Sequence, residues 1–448
     1  MGLQSRKMLD HSFTGLSIFS VLLLTAALLV ILVPILARGV TAIVFRETVE
    51  HREMMLEKFE RGERAALQEE LSAAREARRP VYRMIGEFEA ELEEGGWRMR
   101  SEYGDALREL QDHLTTLLGP PPGQKRPLLA RKQYGVTRWD RARVALHEVL
   151  YVEKYDFSDP TRMGVQYFVP RVEDFKGTSL EPLFGYVDEH AEEMLRPRWT
   201  FYWRFLFDDS LDAHFFGGIG PEVLGTLYLT VGTMIFAVPM GVIAAVYLAE
   251  YAGRGKLIGF LRSCISTLAG VPSIVFGLFG YAFFINGVHV SPHKSVLAGS
   301  LTLALLVLPT VIRAAEEAVR AVPQTYREAA LSMGASRWRT VVTVILPAAL
   351  PGILTGIVIS MGRAAGETAP IIFTAAVSVG PALKPWETLT QATRALPWNI
   401  YNLATEHEAV DQIRHVQYGM VATLILLVLL LNAAALILRA RISKKLRG

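Results

Sequence analysis

Residues 326–347 read YREAALSMGASRWRTVVTVILP, a polar and basic segment between two apolar runs. The run before it is Ser295–Ile312, and the run after it is Val341–Val377, which carries charged interruptions. A bilayer core of about 30 Å needs about 20 mainly apolar residues of helix, so the first run is marginal and the second is long enough. The pattern therefore predicts a surface loop between two membrane spans.

The same criterion, applied outward along the chain, predicts six spans. They are Leu16–Ala37, Val223–Ala249, Ser263–Ile285, Ser295–Ile312, Val341–Val377 and Val416–Leu438. The first run is longer than the apolar core of a signal peptide, and no small-x-small cleavage site follows it, so we expect a span. Charged residues make up only 20% of the chain and cluster between these runs, which is typical of a polytopic membrane protein.

The overall charge and the cysteine count exclude several classes of site. A net charge of +3 over 448 residues makes no basic field, so we expect no nucleic-acid partner. The single cysteine, Cys264, allows neither an intrachain disulfide nor a cysteine-based metal cage, and it is interpreted as a packing residue.

Lysine and arginine in the short loops predict the orientation of the spans. Most of these basic residues lie in the loops and termini on one side of the membrane, and that side is therefore predicted to be cytoplasmic. The residues on that side are Arg6, Lys7, Arg254, Lys256, Arg262, Arg320, Arg327, Arg337, Arg339, Arg439, Arg441, Lys444, Lys445 and Arg447. Both termini are therefore expected to be cytoplasmic. The predicted segments are residues 1–39 with the first span, an extracytoplasmic insertion at 40–215, a core at 216–440 with a loop at 320–347, and a basic tail at 441–448.

The insertion is predicted to be mainly helical, which makes the fold class an all-α membrane protein. Apolar stripes at helical spacing run through 56–74, 81–92 and 103–117, and Pro80 is expected to end or kink the first helix. A short strand is predicted at Val165–Val169, a helix at Leu180–Leu195, and an interfacial aromatic segment at 199–207. Asp208, Asp209, Asp212 and His214 are interpreted as a solvated loop rather than a metal site. A cap on the membrane core and a docking or sensing surface both remain open.

The loop at 320–347 resembles the EAA motif of ABC importer permeases. Glu328-Ala329-Ala330 is followed at the motif's spacing by Gly334 and then by Val344-x-Leu346-Pro347. The small alanines allow a partner to approach closely, Gly334 permits a turn, and Glu328 and Arg337 offer charged contacts. The resemblance implies that Glu328, Ala329, Ala330, Gly334 and Arg337 couple the chain to an ATPase.

The chain itself is not expected to hydrolyse ATP. It contains no Gly-x-x-x-x-Gly-Lys-Ser/Thr phosphate loop, and no Ser/His/Asp or Cys/His set indicates an enzyme. No cofactor is therefore predicted, and a separate ATPase subunit is expected to supply the energy.

Charged residues within the predicted spans are candidates for a substrate path. Arg363 and Glu367 lie four residues apart in the fifth span, which is predicted to place them on one helix face. Such charges are costly in a membrane and usually pair with one another or serve transport, so a structural ion pair and an anion path both remain open. Arg313, with Glu316 and Glu317 one turn beyond it, is a second candidate, and its alternative is snorkelling at the interface with pairing at the helix end.

Several stretches resemble the PstA family, permease subunits of bacterial phosphate ABC importers. They are Gly362–Pro370 with Ile371–Ala375, Gly217–Pro221 with Gly225-Thr226, Tyr247–Tyr251, and Leu308–Arg313 with Glu316-Glu317. The resemblance implies a type I importer core that works with a PstC-like sister permease, an ATPase dimer and an extracytoplasmic phosphate-binding protein in the bacterial inner membrane. It covers about 215–440 and leaves out the insertion.

Two alternatives follow from what the resemblance leaves open. One is a permease for another oxyanion, such as sulfate or molybdate, because the argument for phosphate rests on the family motif. The other is a membrane-anchored sensor or scaffold that acts through the insertion.

Overall fold

The computed structural model describes residues 3–156, 164–253, 255–407 and 409–447. Arg254, one of the basic residues in the orientation argument, lies outside them. The chain divides into two compact units. The membrane unit comprises Met1–Ala42, Arg204–Ser210 and Gly217–Gly448, and the inserted unit comprises Ile43–Trp203 and Leu211–Phe216.

Among the described residues, five helices of the membrane unit are long and apolar enough to cross a membrane. They are Ser12–Val40, Gly220–Tyr251, Val296–Arg320, Arg337–Gly366 and Val410–Lys444. They coincide with five of the six predicted runs. The remaining elements of this unit include the helices Gln324–Ser332, Ala369–Thr374 and Leu396–Thr405 and a single 3₁₀ turn at Pro385–Leu389.

The third predicted span, Ser263–Ile285, is not one straight helix. Lys256–Leu268 and Ser273–Gly287 meet at an angle of 101°, and together they make a sixth span if the pair is counted as one. Pro272 explains the break, because proline lacks an N–H and disfavours a helical conformation at the preceding residue. The third predicted span is therefore two helices with a sharp bend between them.

Small residues let the spans of the membrane unit pack closely. A Cβ atom built at Gly356 would lie 2.3 Å from the Cβ of Ala314, and one at Gly352 would lie 2.6 Å from that of Ala318. The helices Val296–Arg320 and Leu346–Gly366 therefore touch through backbone and methyl groups, as is typical of membrane helix pairs.

The first and last spans also contact each other. Arg38 Nη1 donates a hydrogen bond of 2.7 Å to the hydroxyl of Tyr418.

The inserted unit is mainly helical, with two short antiparallel sheets. One sheet pairs Val44–Glu47 with Arg198–Phe201, and the other pairs Tyr151–Asp156 with Val165–Pro170, which confirms the predicted strand. The helices are Val49–Phe59, Arg64–Glu94, Gly96–Leu118, Ala130–Gln133, Trp139–Leu150 and Glu181–Leu195. Ser210–Leu211 and Phe216–Gly217 form a further short pair.

Helix boundaries in the inserted unit differ from the apolar stripes in two places. The first stripe is split near Glu60 and Gly62, which have φ of 55° and 118°, values that an α-helix does not accept. Pro80 does not end a helix, since Arg64–Glu94 runs through it. Burial of Val81, Phe88 and Leu92 in the core holds the helix together despite the missing backbone hydrogen bond.

A buried arginine ties the helices of the inserted unit together. Arg78 Nε donates to the carbonyl of Met194 at 2.9 Å, and Nη1 donates to the carbonyl of Leu118 at 3.1 Å. Both carbonyls belong to last turns of helices, where no intrahelical partner exists. Arg78 Nη2 also pairs with the carboxylate of Glu50, which is itself buried. Burial raises the pKa of Glu50, and the guanidinium opposes that shift.

We expect Arg78→Met to destabilise the inserted unit by about 3–5 kcal/mol, because it leaves Glu50 and two helix ends without their donor. The measurement is hydrogen–deuterium exchange of Gly96–Leu118 and Glu181–Leu195 in the full-length protein. Arg79→Met is the matched control, since the Arg79 side chain is exposed and pairs with Glu76 on the helix surface. Equal exchange in the two variants would contradict this role.

The inserted unit is also expected to weaken at acid pH through His51. Its buried ring lies against Phe45, Tyr202 and Phe216, and Nδ1 is 2.8 Å from an oxygen of Glu47. Burial lowers the pKa of His51, with Arg138 and Arg52 acting in the same direction and Glu47 opposing them.

His51 therefore binds a proton more tightly in the unfolded chain than in the folded protein. The stability that neutral His51 contributes to the fold is fully present above the unfolded pKa of about 6.5, and it is lost as the pH falls through the lower folded pKa. The fall in stability between pH 7.5 and 5.5 should be larger in the wild type than in His51→Gln. This difference in stability can be measured by hydrogen–deuterium exchange at each pH, with correction for the pH dependence of the intrinsic exchange rate. Identical pH profiles would contradict it.

Candidate functional site

The loop between the fourth and fifth spans forms a helix–turn–helix, which we call the coupling segment, Gln324–Thr340. Gln324–Ser332 and Arg337–Thr340 are its two helices, and Gly334 between them has φ of 80°. A residue with a side chain rarely adopts this backbone conformation, so glycine is what the turn requires. The predicted turn between two short helices is therefore observed.

The coupling segment carries an exposed surface of mixed character. Glu328, Ala329 and Arg337 are exposed, and Ala330 is half-buried. Beside them Met333 is 88% exposed and Trp338 is 67% exposed. The sequence argument missed these two, because an apolar residue in a loop gives no signal until its exposure is known. Clustered exposed apolar side chains are typical of a surface that binds another protein.

Arg327 fixes the coupling segment to the rest of the membrane unit. Its guanidinium donates to Glu250 through Nε at 3.0 Å and Nη2 at 2.8 Å, and Nη2 also donates to the carbonyl of Val319 at 2.8 Å. Both side chains of the ion pair are nearly buried. Glu250 lies in the Tyr247–Tyr251 stretch, so the pair joins two motifs that the sequence presents separately. A rigid link of this kind can carry a movement of the segment to the second span.

The fifth span is interrupted beside Arg363. The helix Leu346–Gly366 ends there, Glu367 has an extended backbone, and Ala369–Thr374 begins a new short helix. Arg363 and Glu367 therefore do not share one continuous helix as expected. Their side chains still pair, with Arg363 Nε 3.2 Å from Glu367 Oε1. Non-helical backbone at membrane depth is tolerated only where protein surrounds it or where it lines a water-filled cavity.

The neighbouring helix gives the depth of this interruption. Gly356 packs on Ala314 and Gly352 on Ala318, so the two helices are antiparallel. Extending that register brings Arg363 level with Val307, near the middle of Val296–Arg320. Beyond the break, the carbonyl of Thr374 accepts from the N–H of Ser295 at 2.9 Å. The Arg363–Glu367 pair thus lies about halfway along the span.

Arg313 is held apart from that pair. In the same register it lies about six residues, or about 9 Å of helix rise, nearer the coupling segment than Arg363. Its Nη2 donates to the hydroxyl of Ser266 on the Lys256–Leu268 helix. Glu316, expected beside it as a partner, instead pairs with Arg262 at 2.9 Å and with Arg320 at 2.7 Å. The structure does not bring Arg313 and Arg363 together into one cluster.

The second halves of the two interrupted spans pack together. A Cβ atom at Gly277, in Ser273–Gly280, would lie 2.9 Å from the Cα of Pro370 and 3.1 Å from the carbonyl oxygen of Ala369. The bent third span and the broken fifth span therefore form one joint element. Sequence periodicity did not reveal either break, because both lie inside apolar runs.

A buried polar network at the start of the second span was also missed. Arg394 contacts Asp209, and its Nη1 lies 3.4 Å from Glu222 Oε1 and donates to Ser210 Oγ at 2.7 Å. Asn399 Nδ2 donates to Glu222 at 3.0 Å. Asp209, interpreted as part of a solvated loop, is therefore paired.

Gly225 belongs to the same region. A Cβ atom there would lie 1.9 Å from the carbonyl oxygen of Arg394, which explains the glycine in the Gly225-Thr226 motif.

Comparison with known proteins matches the membrane unit to one family. The family model described as a binding-protein-dependent transport system inner membrane component matches residues 237–448. A probable ABC transporter permease protein, YqgI of Bacillus subtilis, is 36% identical over 240 residues, which is 51% of this chain and 80% of the relative. The phosphate transport system permease protein PstA 1 of Mycobacterium tuberculosis is 36% identical over 238 residues, 53% of this chain and 76% of the relative.

Among solved structures, an inward-facing MetNI methionine ABC transporter is 19% identical, with a TM-score of 0.38 over 49% of this chain and 93% of that chain. The two sequence relatives are matched over 80% and 76% of their own length. The chain therefore belongs to the family of binding-protein-dependent transport system inner membrane components, and it is a homologue of the PstA permeases.

Proposed function

We propose that this chain is a permease subunit of an ATP-driven importer for inorganic phosphate. The observation that carries the proposal is the interruption of the fifth span at mid-height, where Arg363 and Glu367 face each other. The names of the PstA relatives support phosphate as the substrate.

The chemistry of Arg363 suits a tetrahedral oxyanion. A guanidinium presents parallel N–H donors that match two oxygens of a phosphate, and it remains charged at every physiological pH. Its side chain is 41% exposed and Nε is directed to Glu367, which leaves donors for an anion. Glu367 pairs with the arginine when no substrate is present.

Energy for transport is proposed to come from a separate ATPase, whose dimer docks on the coupling segment. Glu328, Ala329, Ala330 and Arg337 would form the contact, and Gly334 would set its shape. A PstC-like sister permease would complete the path, and an extracytoplasmic phosphate-binding protein would deliver the substrate. ATP hydrolysis is thereby assigned to the partner, and this chain is a non-enzymatic subunit.

The proposed topology follows the distribution of basic residues. Both termini and the coupling segment lie in the cytoplasm, and the insertion at 40–215 lies outside the inner membrane, in the periplasm. In the same scheme Trp199 and Phe201, which are largely exposed on a strand of the inserted unit, lie at headgroup level.

Glu328→Lys is expected to weaken attachment of the ATPase. The side chain is exposed on the coupling segment, so the change reverses a surface charge without disturbing a core. We expect a loss of about 1–3 kcal/mol in binding, which would appear as reduced co-purification of the ATPase. Glu328→Gln removes the charge without reversing it, so it should reduce co-purification of the ATPase less than Glu328→Lys does. Full co-purification of the lysine variant would contradict the docking role.

The proposed substrate is tested by uptake of radiolabelled phosphate in cells that lack this chain. Complementation with the wild type should restore uptake, and excess sulfate or molybdate should not compete. Competition by either anion would identify a permease for another oxyanion instead.

A further inference from the structure

A basic cleft lies beside the coupling segment in the membrane unit. It has a volume of about 670 Å³, and its lining includes Arg262, Arg320, Arg327 and Arg337. The cleft is formed by the end of the second span, the start of the Lys256–Leu268 helix and the coupling segment. We infer that it binds a phosphate-bearing anion, supplied by the headgroup of an acidic phospholipid or by free phosphate.

The charges around the cleft do not balance. Glu250 neutralises Arg327, while Arg262 and Arg320 share the single carboxylate of Glu316. The guanidinium of Arg337 lies over the ring of Tyr251, and its central carbon is 5.2 Å from the ring centroid. Among the described residues of this region, four guanidinium groups thus meet two carboxylates, and the excess of two positive charges favours an anion.

Donors for that anion are present at the wall of the cleft. In the part of the chain that the structure describes, Arg262 Nε is buried and has no hydrogen-bond acceptor, although Nη2 bonds to the carbonyl of Leu248 and to Glu316. A buried N–H without an acceptor is unfavourable, and an anion oxygen would satisfy it. The exposed side chain of Arg337 can turn toward the same ligand.

The surroundings of the cleft favour a lipid as the source. Leu257 and Phe260, which are 70% and 64% exposed, lie on the Lys256–Leu268 helix that also contributes Arg262. Acyl chains could cover these side chains while the headgroup occupies the cleft, as basic pockets between membrane helices do on the cytoplasmic side. Free phosphate has the same oxyanion chemistry but would leave both side chains uncovered.

An occupied cleft would affect coupling. Arg327 and Arg337 belong to the coupling segment, whereas Arg262 belongs to the helix after the second span. An anion held between them would brace the segment against the membrane helices. This inference rests on the proposed cytoplasmic position of the coupling segment.

The test uses the purified complex of this chain with its permease partner and ATPase. The complex is placed in nanodiscs of phosphatidylcholine alone or mixed with phosphatidylglycerol, and native mass spectrometry counts the retained lipid. Radiolabelled inorganic phosphate is bound to the same samples in a separate arm. Arg262→Gln and Arg337→Gln are compared with Arg339→Gln, whose side chain is exposed on the same short helix as Arg337 but does not line the cleft.

We expect the wild type and Arg339→Gln to retain phosphatidylglycerol, and both cleft variants to retain it about tenfold more weakly. Phosphate binding that is lost in the same two variants, without selective lipid retention, would support the site with free phosphate as its source. Equal retention and equal phosphate binding in all four proteins would overturn the inference.

A folding defect is separated by Arg337→Gln, because that side chain is exposed and its loss opens no cavity. Because Arg337 is also a proposed docking residue, lipid retention is compared only among complexes that hold the same amount of ATPase. The assay measures no transport. Absent phosphate uptake with intact selective binding would therefore contradict only the proposed function, and normal uptake with unselective binding would contradict only this inference.

Discussion

Arg363→Gln is expected to reduce phosphate uptake by about 10- to 100-fold while the complex still assembles and its ATPase remains attached. The variant keeps the size and polarity of the side chain but removes the charge that would meet the anion. Removing this charge also leaves Glu367 unopposed at the break in the fifth span. The measurement is the initial rate of radiolabelled phosphate uptake, normalised to the amount of assembled complex.

Three further variants separate the anion path from a structural ion pair. Arg363→Lys keeps the charge but loses the paired donors, so we expect an intermediate rate. Glu367→Gln should retain uptake, because the arginine remains available to the anion, whereas a purely structural pair predicts loss with either partner. Arg313→Gln removes an arginine held by Ser266 outside the pair, and we expect a smaller effect. Near-normal uptake in Arg363→Gln would remove this residue from the path.

Arg327→Ala is expected to uncouple ATP hydrolysis from transport. The guanidinium holds Glu250 and two backbone carbonyls, Val319 and Val322, so its loss leaves a nearly buried carboxylate without its partner. Breaking a buried ion pair costs about 3–5 kcal/mol, enough to release the coupling segment from the ends of the second and fourth spans. We expect the phosphate transported per ATP hydrolysed to fall severalfold.

The local effect can be measured together with the functional one. Hydrogen–deuterium exchange should rise in Gln324–Ser332 and near Glu250 in Arg327→Ala, while the long spans stay protected. Arg339→Ala is the control, since Arg339 lies on the same segment but is exposed. Unchanged exchange and an unchanged ratio of phosphate to ATP would show that the pair does not transmit movement.

Much of the membrane unit could be predicted from local composition. Spans depend on length and hydrophobicity, which are properties of contiguous residues, and four of the six apolar runs each form one helix. The turn at Gly334 could also be predicted, because only glycine readily accepts its backbone conformation. The family could be recognised because its motifs are likewise local.

The features that could not be predicted depend on tertiary contacts or on breaks within apolar runs. The charges of Arg363 and Glu367 do not by themselves show that the helix ends at Gly366, and the Arg327–Glu250 pair joins residues far apart in the sequence. Pro80 does not end its helix, since core packing around Val81 and Phe88 maintains the helix. The burial of Arg394 against Asp209 and Glu222 likewise depends on residues far away in the sequence.

The central claim is that this chain forms part of an ATP-driven path for phosphate. Its most direct test is transport into proteoliposomes that contain the purified complex, with ATP and the phosphate-binding protein supplied on their proper sides. The account predicts ATP-dependent accumulation of radiolabelled phosphate, no accumulation of sulfate, and a strong reduction with Arg363→Gln. Accumulation of sulfate in place of phosphate, or no accumulation of phosphate by an assembled complex that hydrolyses ATP, would contradict it.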